Sequence, residues 1–103
     1  MKDCVFCNIP ARKYVMENEH FYVIPDKYPV SKGHHLIIAK RHVTDFFELD
    51  DAEASALLKM SQELREMLET AHHPTGYNLA MNCGKSAGQT IFHFHLHFIP
   101  RYP

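Results

Sequence analysis

The chain has 103 residues, of which 46% are hydrophobic and 22% charged, a balance that fits one folded domain over residues 1–103. Its net charge of -1 excludes the basic surface of a nucleic-acid or acidic-membrane binder. No apolar run is long enough to span a bilayer or form a signal-peptide core, so we expect a cytoplasmic protein.

The first ten residues predict a loop that contains a CxxC pair, Cys4 and Cys7. Three cysteines, an odd number, argue against a disulfide framework. The pair is either a metal site or a redox dithiol. The redox interpretation is the weaker one because the CxxC does not precede a helix in a βαβ unit. The third cysteine, Cys83, is interpreted as a small, half-buried strand residue.

Residues 13–18 and 20–26 predict short strands because they are rich in β-branched and aromatic residues. The next stretch, 25–33, contains two prolines and a glycine and predicts a turn. Residues 34–40, HHLIIAK, are almost continuously apolar, which indicates a central strand buried on both faces.

One long helix is predicted after residue 50. Asp50 can cap it and Glu53 completes a capping box. Apolar residues then recur at helical spacing up to Pro74: Leu57, Met60, Leu64, Met67, Leu68 and Ala71. The tandem histidines at 72 and 73 fall at the helix C-terminus, where the helix dipole favours them.

Residues 77–84 predict a further strand, 84–88 a glycine-containing loop and 88–101 the last strand. The fold class is therefore α+β: an antiparallel sheet of about five strands with one long helix. Such a small sheet leaves edges that a homodimer would cover.

The last strand carries a row of histidines, His93, His95 and His97, among nine in the chain. Alternation puts the three on one face, roughly 6.6 Å apart, and the intervening Phe92, Phe94, Leu96 and Phe98 on the other. Three interpretations of the row are open: a polar outer face, a metal site, or a nucleophilic histidine whose neighbours stabilise the charge that develops. Three identical imidazoles make the first reading the least favoured, and the pattern alone leaves the other two open.

Blocks in order along nearly the whole chain resemble the histidine triad (HIT) family. HFHLHFI at 93–99 matches that family's HφHφHφφ pattern, where φ is apolar. The others are CVFCNI, DKYPVSKGH (26–34, a DxxPxxxGH pattern), LIIAKRH (36–42), GYNLAMNCG, AGQT (87–90) and IPR.

The resemblance implies that His95, the middle histidine, attacks the α-phosphorus of a nucleotide and forms an intermediate that water cleaves. His97 would donate a hydrogen bond to the phosphate or the leaving group, and His34 would add a second contact. Gln89 and Thr90 would hold phosphoryl oxygens or the departing group.

The resemblance also implies nucleotide contacts. Asp26 would bind the ribose hydroxyls, although an Asp that caps a turn beside Pro25 is the competing interpretation. Asn82 would contact the sugar-phosphate, or is simply a turn residue. Three apolar positions would line the purine pocket, with core packing as the alternative: Phe6, Ile9 and Leu36.

In similar family members with an N-terminal CxxC, the cysteines hold zinc together with two histidines. Here the resemblance implies Cys4, Cys7, His42 and His93, a closed set suited to structural zinc. A catalytic zinc on His93 and His95 remains an alternative.

The leading hypothesis is a dimeric hydrolase or transferase that cleaves at the α-phosphate of a purine nucleotide conjugate. The conjugate would be a nucleoside phosphoramidate or a dinucleoside polyphosphate. The base preference stays open because the segment after the CxxC is shorter than is common in the family. The alternative is a nucleotide-binding or zinc-stabilised interaction module with negligible turnover.

Overall fold

A computed structural model describes all 103 residues and confirms the α+β prediction. One helix packs on a five-stranded antiparallel sheet, in the order β1-β2-β3-β5-β4. The elements are β1 (Met16–Glu17), β2 (Phe21–Pro25), β3 (His35–Ala39), α1 (Asp51–His72), β4 (Gly76–Ala80) and β5 (His95–Arg101).

The N-terminus of α1 is fixed by the predicted capping box. The Asp50 carboxylate accepts from the Glu53 N–H at 2.8 Å, and the Glu53 carboxylate accepts from the Asp50 N–H at 3.0 Å. Glu53 also pairs with Arg41, which follows β3, so the helix start is tied to the end of the central strand. The helix ends at His72, and His73 takes a left-handed conformation with φ 54°.

The sheet has two different faces because side chains alternate along each strand. One face packs on α1 and forms the main core: Phe21, Val23, Ile37, Ala39, Leu96 and Phe98 against Leu57, Met60, Leu64 and Leu68. The other face carries a smaller cluster of Tyr22, Leu36 and Ile38, which the N-terminal loop covers with Phe6. All of β3 is buried, as predicted for a central strand.

The last strand is shorter than predicted. It begins at His95, and residues 91–93 form a bend outside the sheet. The bend arises because the Phe94 N–H donates to the Val43 carbonyl instead of to a neighbouring strand. The prediction that Phe92 shares a face with Phe94, Leu96 and Phe98 is therefore wrong, since those three are buried in the core whereas Phe92 is 46% exposed.

Other boundaries also move. The strand predicted over 13–18 contains only β1, because Pro10, with φ -69°, starts a 3-10 turn over Ala11–Lys13. The strand predicted over 77–84 ends at Ala80. It is followed by a loop in which Gly84 has a φ of 99°. Ala71 is exposed rather than part of the helix core.

The outer strand β4 is largely exposed, and Leu79 on it is 49% exposed. No helix has both the length and the hydropathy required to cross a membrane.

Candidate active site and metal cluster

Two cysteines and two histidines from three distant segments meet beside the N-terminal loop. Cys4 Sγ lies 3.2 Å from His93 Nδ1, and Cys7 Sγ lies 3.2 Å from His42 Nδ1. The two Nδ1 atoms are 3.1 Å apart, and Cys7 Sγ is 3.5 Å from His93 Nδ1. The structure thus brings together all four residues that the sequence named.

The ring of His93 is oriented by a backbone carbonyl. Its Nε2–H donates to the Ala39 oxygen at 2.6 Å, which leaves the Nδ1 lone pair facing the cysteines and His42. The residue is completely buried, and burial is the main cause that lowers the pKa of His93. His93 is therefore held neutral, the form that a metal ligand requires.

The cluster fits a tetrahedral metal ion. A zinc ion with bonds of about 2.0–2.3 Å keeps its ligand atoms roughly 3.3–3.8 Å apart. The four donor atoms here lie within 4.8 Å of one another. Burial and the neighbouring Cys4 raise the pKa of the Cys7 thiol, so a cation would be needed to hold Cys7 as a thiolate. A Cys2His2 donor set is typical of structural zinc.

A cavity of about 730 Å³ opens on the sheet face opposite α1. Its apolar wall includes the three residues expected at the base pocket, Phe6, Ile9 and Leu36. His95, His97, Asp26 and Thr90 also line the cavity. The sequence reasoning missed six lining residues: Val5, Lys13, Ile24, Pro25, Lys27 and Ile91. The alternation in β2 could have identified Ile24, which shares a face with Tyr22.

The imidazole of His95 has a defined tautomer. Its Nδ1 lies 2.8 Å from the His93 carbonyl, which can only accept, so Nδ1 carries the proton. Nε2 then keeps its lone pair. The Phe6 ring packs against His95 with the ring centroids 5.0 Å apart. An imidazole oriented in this way at the wall of the cavity has a nitrogen that can act as a nucleophile.

A second group of side chains lies beside His95. His34 Nε2 and His97 Nδ1 are 3.0 Å apart. The Asp26 carboxylate is 3.4 Å from the former and 3.7 Å from the latter. Burial is the largest cause that lowers the pKa of both histidines, and the Asp26 charge opposes it. Both rings are therefore biased towards the neutral form.

The other two predicted site residues lie in or next to the loop before β5. Gln89 is 4% exposed; its Nε2 donates to the Thr44 and Ile91 carbonyls, and its Oε1 accepts from the Gly84 N–H. Asn82 donates to the Gly88 carbonyl at 3.3 Å. Neither side chain lines the cavity, whereas the next residue, Thr90, does.

The family model for the HIT domain matches residues 8–103. A hypothetical histidine triad nucleotide-binding protein from Sulfolobus tokodaii is 41% identical, with a TM-score of 0.88 over 96% of this chain and 69% of that one. A zinc-bound histidine triad family protein from Mycobacterium smegmatis is 35% identical, with a TM-score of 0.84 over 97% of this chain and 76% of that one.

The similar sequences include one that is named as an enzyme. It is an adenylylsulfatase from Arabidopsis thaliana, 36% identical over 104 residues, which are 96% of this chain and 52% of the plant protein.

Proposed function

Because the chain belongs to the histidine triad (HIT) family, we propose that it is a nucleotide hydrolase or transferase. It acts at the α-phosphate of purine nucleotide conjugates, either nucleoside phosphoramidates or dinucleoside polyphosphates. The observation that carries this proposal is the orientation of His95, whose Nδ1–H donates to the His93 carbonyl and leaves Nε2 free at the cavity wall. An imidazole fixed in this way is ready to attack an electrophilic phosphorus.

The reaction has two balanced steps. In the first, His95 Nε2 forms a bond to the α-phosphorus while the bond to the leaving nitrogen or oxygen breaks and that atom takes a proton. In the second, water adds to phosphorus, the N–P bond breaks, and the nucleoside monophosphate leaves. His97 supplies the proton in the first step and takes one from water in the second.

The remaining residues hold the phosphate and the sugar. Thr90 on the cavity wall contacts the phosphoryl oxygens, and His34 adds a contact through its pair with His97. Gln89 supports them by holding the loop, since a direct contact would require its amide to release a backbone carbonyl. Asp26 accepts from the ribose, and Asn82 contacts the sugar-phosphate.

The purine base occupies the apolar part of the cavity between Phe6, Ile9 and Leu36. All three line the cavity and belong to the cluster on that sheet face or pack against it. A cavity of about 730 Å³ has room for a nucleotide, since ligand sites commonly measure roughly 300–1,000 Å³.

Structural zinc is the proposed occupant of the Cys4, Cys7, His42 and His93 cluster. The donor set, the neutral and oriented His93, and the zinc-bound relative support it. Bound there, the ion would act as a cross-link of fixed geometry between the N-terminal loop and the segment before β5. It would thereby stiffen the His93 carbonyl that orients His95.

We also propose a homodimer. The exposed outer edge of β4, with the apolar Leu79, supports this because an unpaired edge strand is a site for pairing with another chain.

The decisive variant is His95→Ala, assayed by release of AMP from an adenosine phosphoramidate. His20→Ala serves as the control, because that histidine lies in the turn before β2, outside the cavity. We expect turnover to fall by more than about a hundredfold in His95→Ala, as for loss of a nucleophile, and to persist in the control.

Equal and slow release by all three proteins would overturn the catalytic assignment and favour the alternative, a nucleotide-binding or interaction module. A panel of adenosine and guanosine phosphoramidates and diadenosine polyphosphates would then identify the substrate class of an active protein.

A further inference from the structure

Asp26 presents a rigid carboxylate to the His34–His97 pair. Its backbone N–H donates to the His34 carbonyl at 3.0 Å, and its Oδ1 accepts from the Tyr28 N–H at 2.8 Å. Its Oδ2 is the atom that faces His34 Nε2 at 3.4 Å and His97 Nδ1 at 3.7 Å. Because the side chain is only 14% exposed, this charge is poorly screened by water.

The backbone fixes the position of the proton on His34. The Val30 N–H donates to His34 Nδ1 at 3.2 Å, so this nitrogen must be an acceptor and the ring proton sits on Nε2. That Nε2–H faces His97 Nδ1 at 3.0 Å, which must therefore accept. Neutral His97 then carries its own proton on Nε2.

The same contacts argue against a metal ion at these three residues. Their donor atoms lie within 4.8 Å of one another, a spacing that a cation could use. A metal on His34 Nε2 would move the ring proton to Nδ1, where it would clash with the Val30 N–H. His93 differs, because its second nitrogen donates to a carbonyl. The Asp26 cluster is thus built to hold protons.

We propose that Asp26 is a positioning residue for His97: its Oδ2 accepts the Nδ1–H of His97 when that ring carries two protons. In this state the Nε2–H of His34 and the Nδ1–H of His97 would oppose each other at 3.0 Å. Asp26 Oδ2 is the acceptor close to both nitrogens. The inference rests on the proposed function, in which His97 is the proton donor.

Other charged groups around the pair do not replace Asp26. His97 lies near His95 on its own strand, His34 before β3 and Asp26 after β2. The charges of His35 and Arg101 also act on His34. Burial and the neighbouring histidines lower the pKa of His97, whereas Asp26 raises it. Removal of this carboxylate charge would therefore leave His97 protonated in a smaller fraction of molecules.

The proton path balances over the cycle. Doubly protonated His97 gives its Nε2 proton to the leaving nitrogen or oxygen as His95 Nε2 bonds to phosphorus. This leaves His97 neutral in its other tautomer, with the remaining proton on Nδ1, facing Asp26, rather than on Nε2. Water then attacks phosphorus, returns a proton to His97 Nε2, and releases His95.

Asp26→Asn tests the proposal because asparagine keeps the acceptor for the Tyr28 N–H but has no charge. The control is Asp45→Asn, the same change at a carboxylate that caps the 3-10 turn Phe46–Glu48. With a poor leaving group we expect the Asp26 variant to lose about 10- to 100-fold in kcat, part of what a general acid contributes. The loss should persist on a 2′,3′-dideoxynucleoside phosphoramidate, which has no ribose hydroxyls to bind.

A readout that does not depend on turnover is the NMR titration of ¹⁵N-labelled histidines. We expect the titration of His97 to move to lower pH in Asp26→Asn and to stay in place in Asp45→Asn. An unchanged His97 titration would overturn the proposal, as would a defect confined to KM that disappears with the dideoxy substrate. If the wild type and His95→Ala were equally inactive, the proposed function would fail, but the titration would still decide the role of Asp26.

Discussion

The fold is expected to lose stability in mild acid because His35 is buried as a neutral imidazole. His35 lies on the face of β3 towards α1 and is 8% exposed. Its Nδ1–H donates to the Gly33 carbonyl at 2.6 Å. Burial lowers the pKa of His35 below its usual value of 6.5; the Gly33 carbonyl opposes this shift, and nearby His72 adds to it.

The sign of the pH dependence follows from proton binding. Below about pH 6.5 the unfolded chain protonates His35, whereas the folded chain keeps it neutral down to a lower pH. The unfolded state then binds more protons, so the free energy of unfolding falls as the pH falls through this window. One full proton of difference corresponds to a slope of about 1.4 kcal/mol per pH unit. Well above the window His35 contributes no slope.

Urea unfolding of the wild type and His35→Gln between about pH 8 and pH 5 measures this slope. Glutamine keeps an N–H donor but does not titrate, so the variant's curve should be flatter by up to about 1.4 kcal/mol per pH unit. Leu64→Ala, which truncates a fully buried side chain of α1, is the control: it should cost about 2–5 kcal/mol without changing the slope. Parallel curves for the wild type and His35→Gln would refute the reasoning.

Three further predictions concern the helix cap, the metal cluster and the sheet edge. Asp50→Ala removes the acceptor for the Glu53 N–H and should lower the free energy of unfolding by about 1 kcal/mol, seen as a Tm lower by roughly 4–8 °C; an unchanged Tm would contradict it. Cys7→Ser should bind less zinc than the wild type, for which we expect roughly one equivalent per chain. Backbone hydrogens in residues 1–10 of the variant should also exchange faster. Equal zinc contents in the two proteins would exclude the proposed ligand set. Leu79→Lys places a charge on the outer strand β4, so the mass that light scattering measures should fall from that of a dimer to that of a monomer. An unchanged mass would contradict a dimer contact through β4.

The helix was predictable because its determinants are local. The capping box needs residues three apart, and the apolar stripe has helical spacing, so Asp50, Glu53 and the buried leucines could be recognised from the sequence. The central strand was equally clear, since HHLIIAK has no polar position between its apolar residues.

The bend before β5 was not predictable from alternation. His93 and His95 are separated by one residue, yet only His95 belongs to the strand. The cause is a set of non-local contacts. The Phe94 N–H donates to the Val43 carbonyl, and the His93 ring contacts Cys4, Cys7 and His42. Alternation alone assigns His93 to the outward face, but it is completely buried.

Part of the candidate site also depends on backbone groups that carry no sequence signal. The carbonyls of Ala39 and His93 set the tautomers of His93 and His95, and the Val30 N–H sets that of His34. Likewise, the sequence identified Gln89 as a candidate site residue. It could not predict that the Gln89 amide donates to the Thr44 and Ile91 carbonyls.

The central claim is that His95 forms a covalent bond to the α-phosphorus, and a rapid acid or base quench tests it most directly. Wild-type protein mixed with an adenosine phosphoramidate, quenched within one turnover and digested, should yield a peptide containing residues 93–101 that carries one adenylyl group. Fragmentation should locate that group on His95, and His95→Ala should yield no adduct. An adduct on His93 or His97, or turnover without any adduct, would contradict the account.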